Sequence, residues 1–99
     1  MAKTPEAKVK MRVTGILKAH GAYYFYPVTG GFGASGIPDI IGCVNGRFFG
    51  IECKAGSNKP TALQQHHINM IQNMGGKAIV VNEANINDVE ELMLCLKNI

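Results

Sequence analysis

Long apolar runs are missing from this 99-residue chain. None approaches the roughly 20 residues needed to span a bilayer, so a helical membrane protein is excluded and no membrane partner is expected. The opening Met1-Ala-Lys-Thr-Pro-Glu has no apolar segment behind its lysine, so a signal peptide is not expected and a cytoplasmic location is. Cysteine is scarce: Cys43, Cys53 and Cys95 are odd in number and show neither CxxC nor Cys/His ligand spacing. That argues against a disulfide framework and a zinc site, and the three read as small buried apolar residues in a reducing compartment. Repeats and low-complexity tracts are absent, and the length suits one domain, residues 1–99, with a modest core. Acid is rare in the first 60 residues, where eight Lys/Arg meet three carboxylates for a net +5; residues 61–99 carry two against four, for −2. A basic first part suggests a polyanionic partner, although solvated lysines alone would look much the same. The three acids of the basic part are Glu6, Asp39 and Glu52.

What is present centres on Gly36–Lys54. Asn45-Gly46 lies between two apolar runs, the strongest short-range signal for a two-residue β-hairpin turn. Strands are expected over 38–44 and 47–55. Counting back from the turn, Val44 pairs with Arg47, and Asp39 then falls opposite Glu52. Two carboxylates with Cβ atoms about 5 Å apart repel each other unless a divalent cation sits between them. Lys54 is two residues beyond Glu52, so the period of a strand puts its ammonium on the same face. Acid, acid and amine at one spot suit metal binding and phosphodiester cleavage. The opposite face, Ile40, Val44, Phe49 and Ile51 with Cys53, reads as core. Gly42 and Gly50 thin the strands for the close approach of a helix or a substrate.

Ahead of the hairpin, Thr4-Pro5-Glu6 opens a helix, with Thr4 as N-cap and proline at its first position. Val9, Val13, Ile16 and Leu17 form its apolar stripe, to whose face Glu6 belongs. Glu6 is either a first-turn acid paired with Lys10 or a member of the acidic site. Gly21 ends this helix near His20. Ala22–Val28 is aromatic and reads as a strand, its tyrosines and phenylalanine being expected in core and sheet packing, with base stacking the alternative. Thr29–Gly36 holds four glycines in eight residues and should be a loop leading into Asp39. It lacks the Gly-Lys-Ser/Thr of a Walker loop and the full dinucleotide fingerprint, so no organic cofactor is expected. Backbone amides at Gly30, Gly31, Gly33 and Ser35 could lie against a phosphate chain, or the loop is a plain connection.

After the hairpin, Thr61-Ala-Leu-Gln64 is a capping box opening a second helix, with Gln64, Ile68 and Ile71 on one face and Gly75-Gly76 at its end. Gln64 either closes the box or points at a scissile phosphate. His66 and His67 are adjacent, diverge by about 100° on a helix and do not suit one ion. A short strand over 77–82 and a last helix capped by Asn87, with Val89, Leu92, Met93 and Leu96 inside, complete the chain. Glu83, Asp88, Glu90 and Glu91 read as solvated acids rather than a second metal site.

The order helix, strand, hairpin, helix, strand, helix, with Pro38-Asp39 and Glu52-Cys53-Lys54, resembles the PD-(D/E)XK nucleases. More narrowly it resembles a stand-alone VRR-NUC domain, the resemblance resting on Glu6, Gly36-Ile-Pro-Asp39, Ile51-Glu-Cys-Lys54 and Thr61-x-x-Gln64 with Ile68, Ile71 and Gly75. The neighbouring Gln65 is an alternative counterpart to Gln64, disfavoured by the spacing to Ile68, Ile71 and Gly75. The resemblance implies an α/β restriction-endonuclease-like core and a metal-dependent DNA endonuclease. In it Asp39, Glu52 and the backbone carbonyl of Cys53 would hold Mg²⁺ or Mn²⁺, and Glu6 would add a ligand directly or through water. Lys54 would face the attacking water and the pentavalent phosphate, and Gln64 would orient water, lysine or phosphate. Family members of this size imply a homodimer acting on branched DNA, two sites matching a two-fold junction. Lys8, Arg12, Lys18, Arg47 and Lys59 are the expected phosphate contacts. A less selective nuclease on duplex or flapped DNA, and a decayed DNA-binding module of the same fold, stay open as alternatives.

Overall fold

The computed structural model describes residues 3–28 and 33–98. The elements run α1 (Pro5–Ala19), β1 (Tyr23–Phe25), β2 (Ile40–Val44), β3 (Arg47–Cys53), α2 (Ala62–Asn73), β4 (Lys77–Val81) and α3 (Asn87–Lys97). They build one four-stranded sheet in the order β1-β2-β3-β4. The first three strands are antiparallel, and β4 lies parallel to β3, reached through α2 as a parallel neighbour requires. This is the restriction-endonuclease-like α/β core.

The turn forms as its chemistry demands. Asn45 and Gly46 both take positive φ, 53° and 76°, and Val44 pairs with Arg47. The ladder continues to Ile40 opposite Ile51, so Asp39 enters one step beyond the last pair on the side of Glu52. On one face of the sheet, Ile40, Val44, Phe49, Ile51 and Cys53 are buried with Val9, Val13 and Leu17 of α1 and Val89, Met93 and Leu96 of α3. The other face takes α2: Ile71 Cδ1 would stand 3.1 Å from a Cβ at Gly50, so this glycine admits the helix.

Several expectations change. β1 has three residues rather than seven, and the aromatic side chains of this run are mostly outside: Tyr23 is 70 % exposed, Phe25 46 % and Tyr26, just past the strand, 47 %. As an edge strand it turns only alternate side chains inward, so Tyr24 packs on the core and its neighbours do not. The hairpin strands start at Ile40 and stop at Cys53, leaving Asp39 and Lys54 at the sheet's end. Of the thiols only Cys53 is buried; Cys43 is half-buried and Cys95 exposed on α3. Asn87 is the first residue of α3 and not its cap. Ile86 stands at the cap with no side-chain bond, while Asn85 binds Val80 O and Asp88 Oδ2.

Gly36 ties the loop before Asp39 to α2. Its φ is +80°, and a Cβ there would lie 2.7 Å from Leu63 Cγ and 2.9 Å from the Leu63 carbonyl carbon. Gly36→Ala is therefore expected to destabilise the fold by about 1–3 kcal/mol, combining left-handed backbone strain with a collision against backbone. Denaturant melts of the variant beside wild type check this.

Candidate active site

Asp39, Glu52 and Lys54 meet where the hairpin strands end. Asp39 lies just before β2, and its Oδ2 accepts a hydrogen bond from the Cys53 backbone N–H at 2.9 Å. That bond ties the first carboxylate to the strand carrying the second. Glu52 lies on β3, which is paired on both sides, and is only 1 % exposed. Lys54 extends the parallel ladder by donating its N–H to Val81 O at 2.9 Å, and its Nζ stands 3.3 Å from Glu52 Oε2. The remaining oxygen, Glu52 Oε1, is buried and has no hydrogen-bond partner among the described residues. An ionised carboxylate oxygen left bare in the interior is costly unless something binds it.

The electrostatics follow from this placement. Burial pushes the Glu52 carboxyl up to about 7, the Asp39 charge pushes the same way, and Lys54 opposes both. The Cys53 thiol is raised to about 12, chiefly by burial and then by Asp39, with Glu52 and Glu6 adding and Lys10 subtracting. Such a thiol is inert, and Cys53 serves through its backbone.

The other site residues expected from the sequence fall in different places. Glu6 is half-buried in the first turn of α1, and its charge reaches the Cys53 thiol. Among the described residues no three His, Cys, Asp or Glu side chains gather to hold an ion. Gln64 is engaged in the capping box, where its Oε1 accepts the Thr61 N–H at 2.9 Å while Thr61 Oγ1 accepts the Gln64 N–H. It therefore orders the start of α2, the turn that Gly36 touches. His66 is exposed and His67 half-buried.

Among the expected phosphate contacts, Lys8 and Arg12 share the exposed side of α1, lining a cleft with Pro5, Val9 and Glu83. Lys59 is exposed in the loop after Lys54, whose start is held by Glu83 Oε1 accepting the Gly56 N–H at 2.9 Å. That bond holds the Glu83 carboxyl below its ordinary range, so Glu83 is a tether and not merely a solvated acid. Arg47 stands five residues from Glu52 along β3, about 17 Å away. Its guanidinium donates to the carbonyls of Asn45 and Leu96, closing the C-terminal end of α3, so it is not at the site. Lys18 is 12 residues beyond Glu6, roughly 18 Å along α1, and also lies far from the carboxylates. Gly33 and Ser35 are exposed on the approach to Asp39, whereas Gly30 and Gly31 lie outside the described residues.

Two residues join the site unexpectedly. Lys10 Nζ lies 3.9 Å from Asp39 Oδ1, not paired with Glu6, and 5.6 Å from the centre of the Tyr26 ring. Their signal was available: Lys10 is one helical turn after Glu6, and Tyr26 ends the aromatic run. Only the fold brings Lys10 to Asp39 and Tyr26 to Lys10.

The fold is that of the restriction-endonuclease-like domains. Within this class the chain shares its fold with two solved structures. One, a VRR_NUC domain, is 21 % identical and superposes with a TM-score of 0.74, over 93 % of this chain and 97 % of the other. The second, a VRR_NUC domain protein, is 19 % identical with a TM-score of 0.70, over 98 % of this chain and 93 % of the other. No family model matches the sequence, and no curated protein matches it.

Proposed function

We propose that this chain is a divalent-metal-dependent DNA endonuclease, selective for branched DNA in the manner of a junction resolvase. The observation that carries the reading is Glu52 Oε1, a buried carboxylate oxygen with no partner among the described residues, on the residue whose charge Asp39 already disfavours. An oxygen-ligated cation suits that atom and Asp39 Oδ1, the oxygen that the Cys53 N–H leaves open. Asp39, Glu52 and the Cys53 carbonyl would hold Mg²⁺, with Mn²⁺ able to substitute, and Glu6 would act through water. When bound, the ion supplies an activated water and neutralises charge on the phosphate. The chain's own residues do the positioning. The Cys53 N–H fixes the orientation of Asp39, and the Lys54 ammonium, 3.3 Å from Glu52, faces the charge that develops on the phosphate. The similarity in fold to VRR_NUC domains supports the nuclease class.

A homodimer belongs to this reading, since two sites would match a two-fold junction. Phe48, Met70 and Met74 line an apolar surface beside Ile71, a face such a contact could cover.

Cleavage of a labelled panel (four-way junction, flap, nick and linear duplex) tests selectivity, with the junction cut fastest. Binding should weaken steeply with salt, and changes of base sequence around a fixed branch should matter little, because Lys8, Arg12 and Lys59 meet phosphates and not base edges. A strong sequence preference with a flat salt response would contradict it.

A further inference from the structure

Lys10, on α1, is a second ammonium at the site beside Lys54. Each carboxylate has its own: Lys54 stands 3.3 Å from Glu52 Oε2 and Lys10 stands 3.9 Å from Asp39 Oδ1. The two lysines are not equivalent. The Lys54 side chain is 13 % exposed, close to a buried partner; that of Lys10 is 34 % exposed, with a longer contact and the Tyr26 ring beside it. A carboxylate has two oxygens, and the other oxygen of Asp39 is already used by the Cys53 N–H. Oδ1 is therefore the atom for which Lys10 and a divalent cation compete. Once a cation is bound there, the like charge of Lys10 is repelled. Its flexible four-carbon stem lets the ammonium leave Asp39 while staying at the mouth of the site, where the exposed Tyr26 ring offers a resting place.

We infer that Lys10 is a positioning residue with two alternating partners, Asp39 before a divalent cation binds and a backbone phosphate of the DNA afterwards. This rests on the reading of Asp39 and Glu52 as a metal pair. It makes Lys10 a regulator of metal affinity as well as a substrate contact, and the two effects have opposite signs. Removing its charge eases entry of the cation and weakens the grip on DNA.

The test uses Lys10→Met, which keeps the stem and the helix propensity but loses the charge, with Lys10→Arg beside it. Calorimetric titration with Mn²⁺ alone is expected to show Lys10→Met binding the ion roughly tenfold tighter than wild type, with Lys10→Arg close to wild type. Junction binding is then measured against salt in Mg²⁺ on a Lys54→Ala background, in which the DNA is expected to stay intact. Adding Lys10→Met should make the slope of log K against log salt shallower by about 0.9, the value of one phosphate contact. A lysine that merely stabilises the helix moves neither quantity. Mn²⁺ affinity unchanged in Lys10→Met, while wild type binds the ion, overturns this inference and leaves the metal pair standing. A slope unchanged by Lys10→Met overturns the transfer to phosphate. If wild type takes up no Mn²⁺ at all, the metal pair and this inference fall together.

Discussion

Glu52→Gln, Asp39→Asn and Lys54→Ala are each expected to lower Mg²⁺-dependent cleavage of a DNA junction by about a thousandfold or more. The three act at one place but for different reasons. Glu52→Gln replaces the bare oxygen Oε1 with a neutral amide in the interior, where a cation needs formal charge to offset its own desolvation. Asp39→Asn loses the second carboxylate, and the Cys53 N–H that held it then meets a weaker acceptor. Lys54→Ala removes the ammonium beside Glu52, the charge proposed above to face the phosphate. Glu6→Gln should cost less, because in this proposal Glu6 acts through water and not as a direct ligand. For Gln64→Ala the loss should come mainly through stability, about 0.5–2 kcal/mol, since its oxygen closes the capping box. Single-turnover cleavage beside circular dichroism separates the chemical losses from the structural ones. Near-normal turnover in Glu52→Gln would falsify the assignment of the metal pair.

The second large effect is on stability against pH. The Glu52 carboxyl titrates at about 7 in the folded chain and at 4.5 when unperturbed. Below pH 4.5 both states hold the proton and Glu52 costs the fold nothing. As pH rises from 4.5 to 7 the unfolded chain gives up its proton while the folded chain keeps it, so stability falls. The loss levels off above the folded value at roughly 3 kcal/mol, because each tenfold difference in proton affinity between the two states is worth about 1.4 kcal/mol. Glu52→Gln has no such proton and should lack this fall. The difference between its denaturant melts and those of wild type, from pH 4 to 8, isolates the group from Glu83, whose lowered value acts in the opposite direction. Asp39→Asn removes the second cause of the raised value and should move the transition to lower pH. In wild type at pH 8, Mg²⁺ should restore part of the loss by mass action. A wild-type profile parallel to that of Glu52→Gln across the whole range would show that the carboxyl is not raised.

Local chemistry determined what the chain displays in its sequence. The Asn-Gly turn needs two positive φ values, and only such residues adopt them cheaply. Once the turn is set, the period of a strand dictates that Asp39, Glu52 and Lys54 converge. Thr4, and Thr61 with Gln64, announce their helices because a cap bonds within three residues of itself. Tertiary structure alone decided the rest. Which oxygen of Glu52 is bare depends on Lys54 taking the other and on the burial of the side chain in the folded sheet. Lys10 turns to Asp39 instead of Glu6 because packing Val9, Val13 and Leu17 against the sheet brings that side of α1 to the end of β2. Arg47 reads as a phosphate contact from its charge alone; in the fold its guanidinium binds the nearby Asn45 carbonyl and that of Leu96 in α3, about fifty residues later in the chain. The aromatic run from Tyr23 to Tyr26 has the composition of a buried strand, yet at the sheet's edge a single side is covered. Interactions within a few residues are legible from the chain itself, whereas those that close over long loops are set by which surfaces the core brings together.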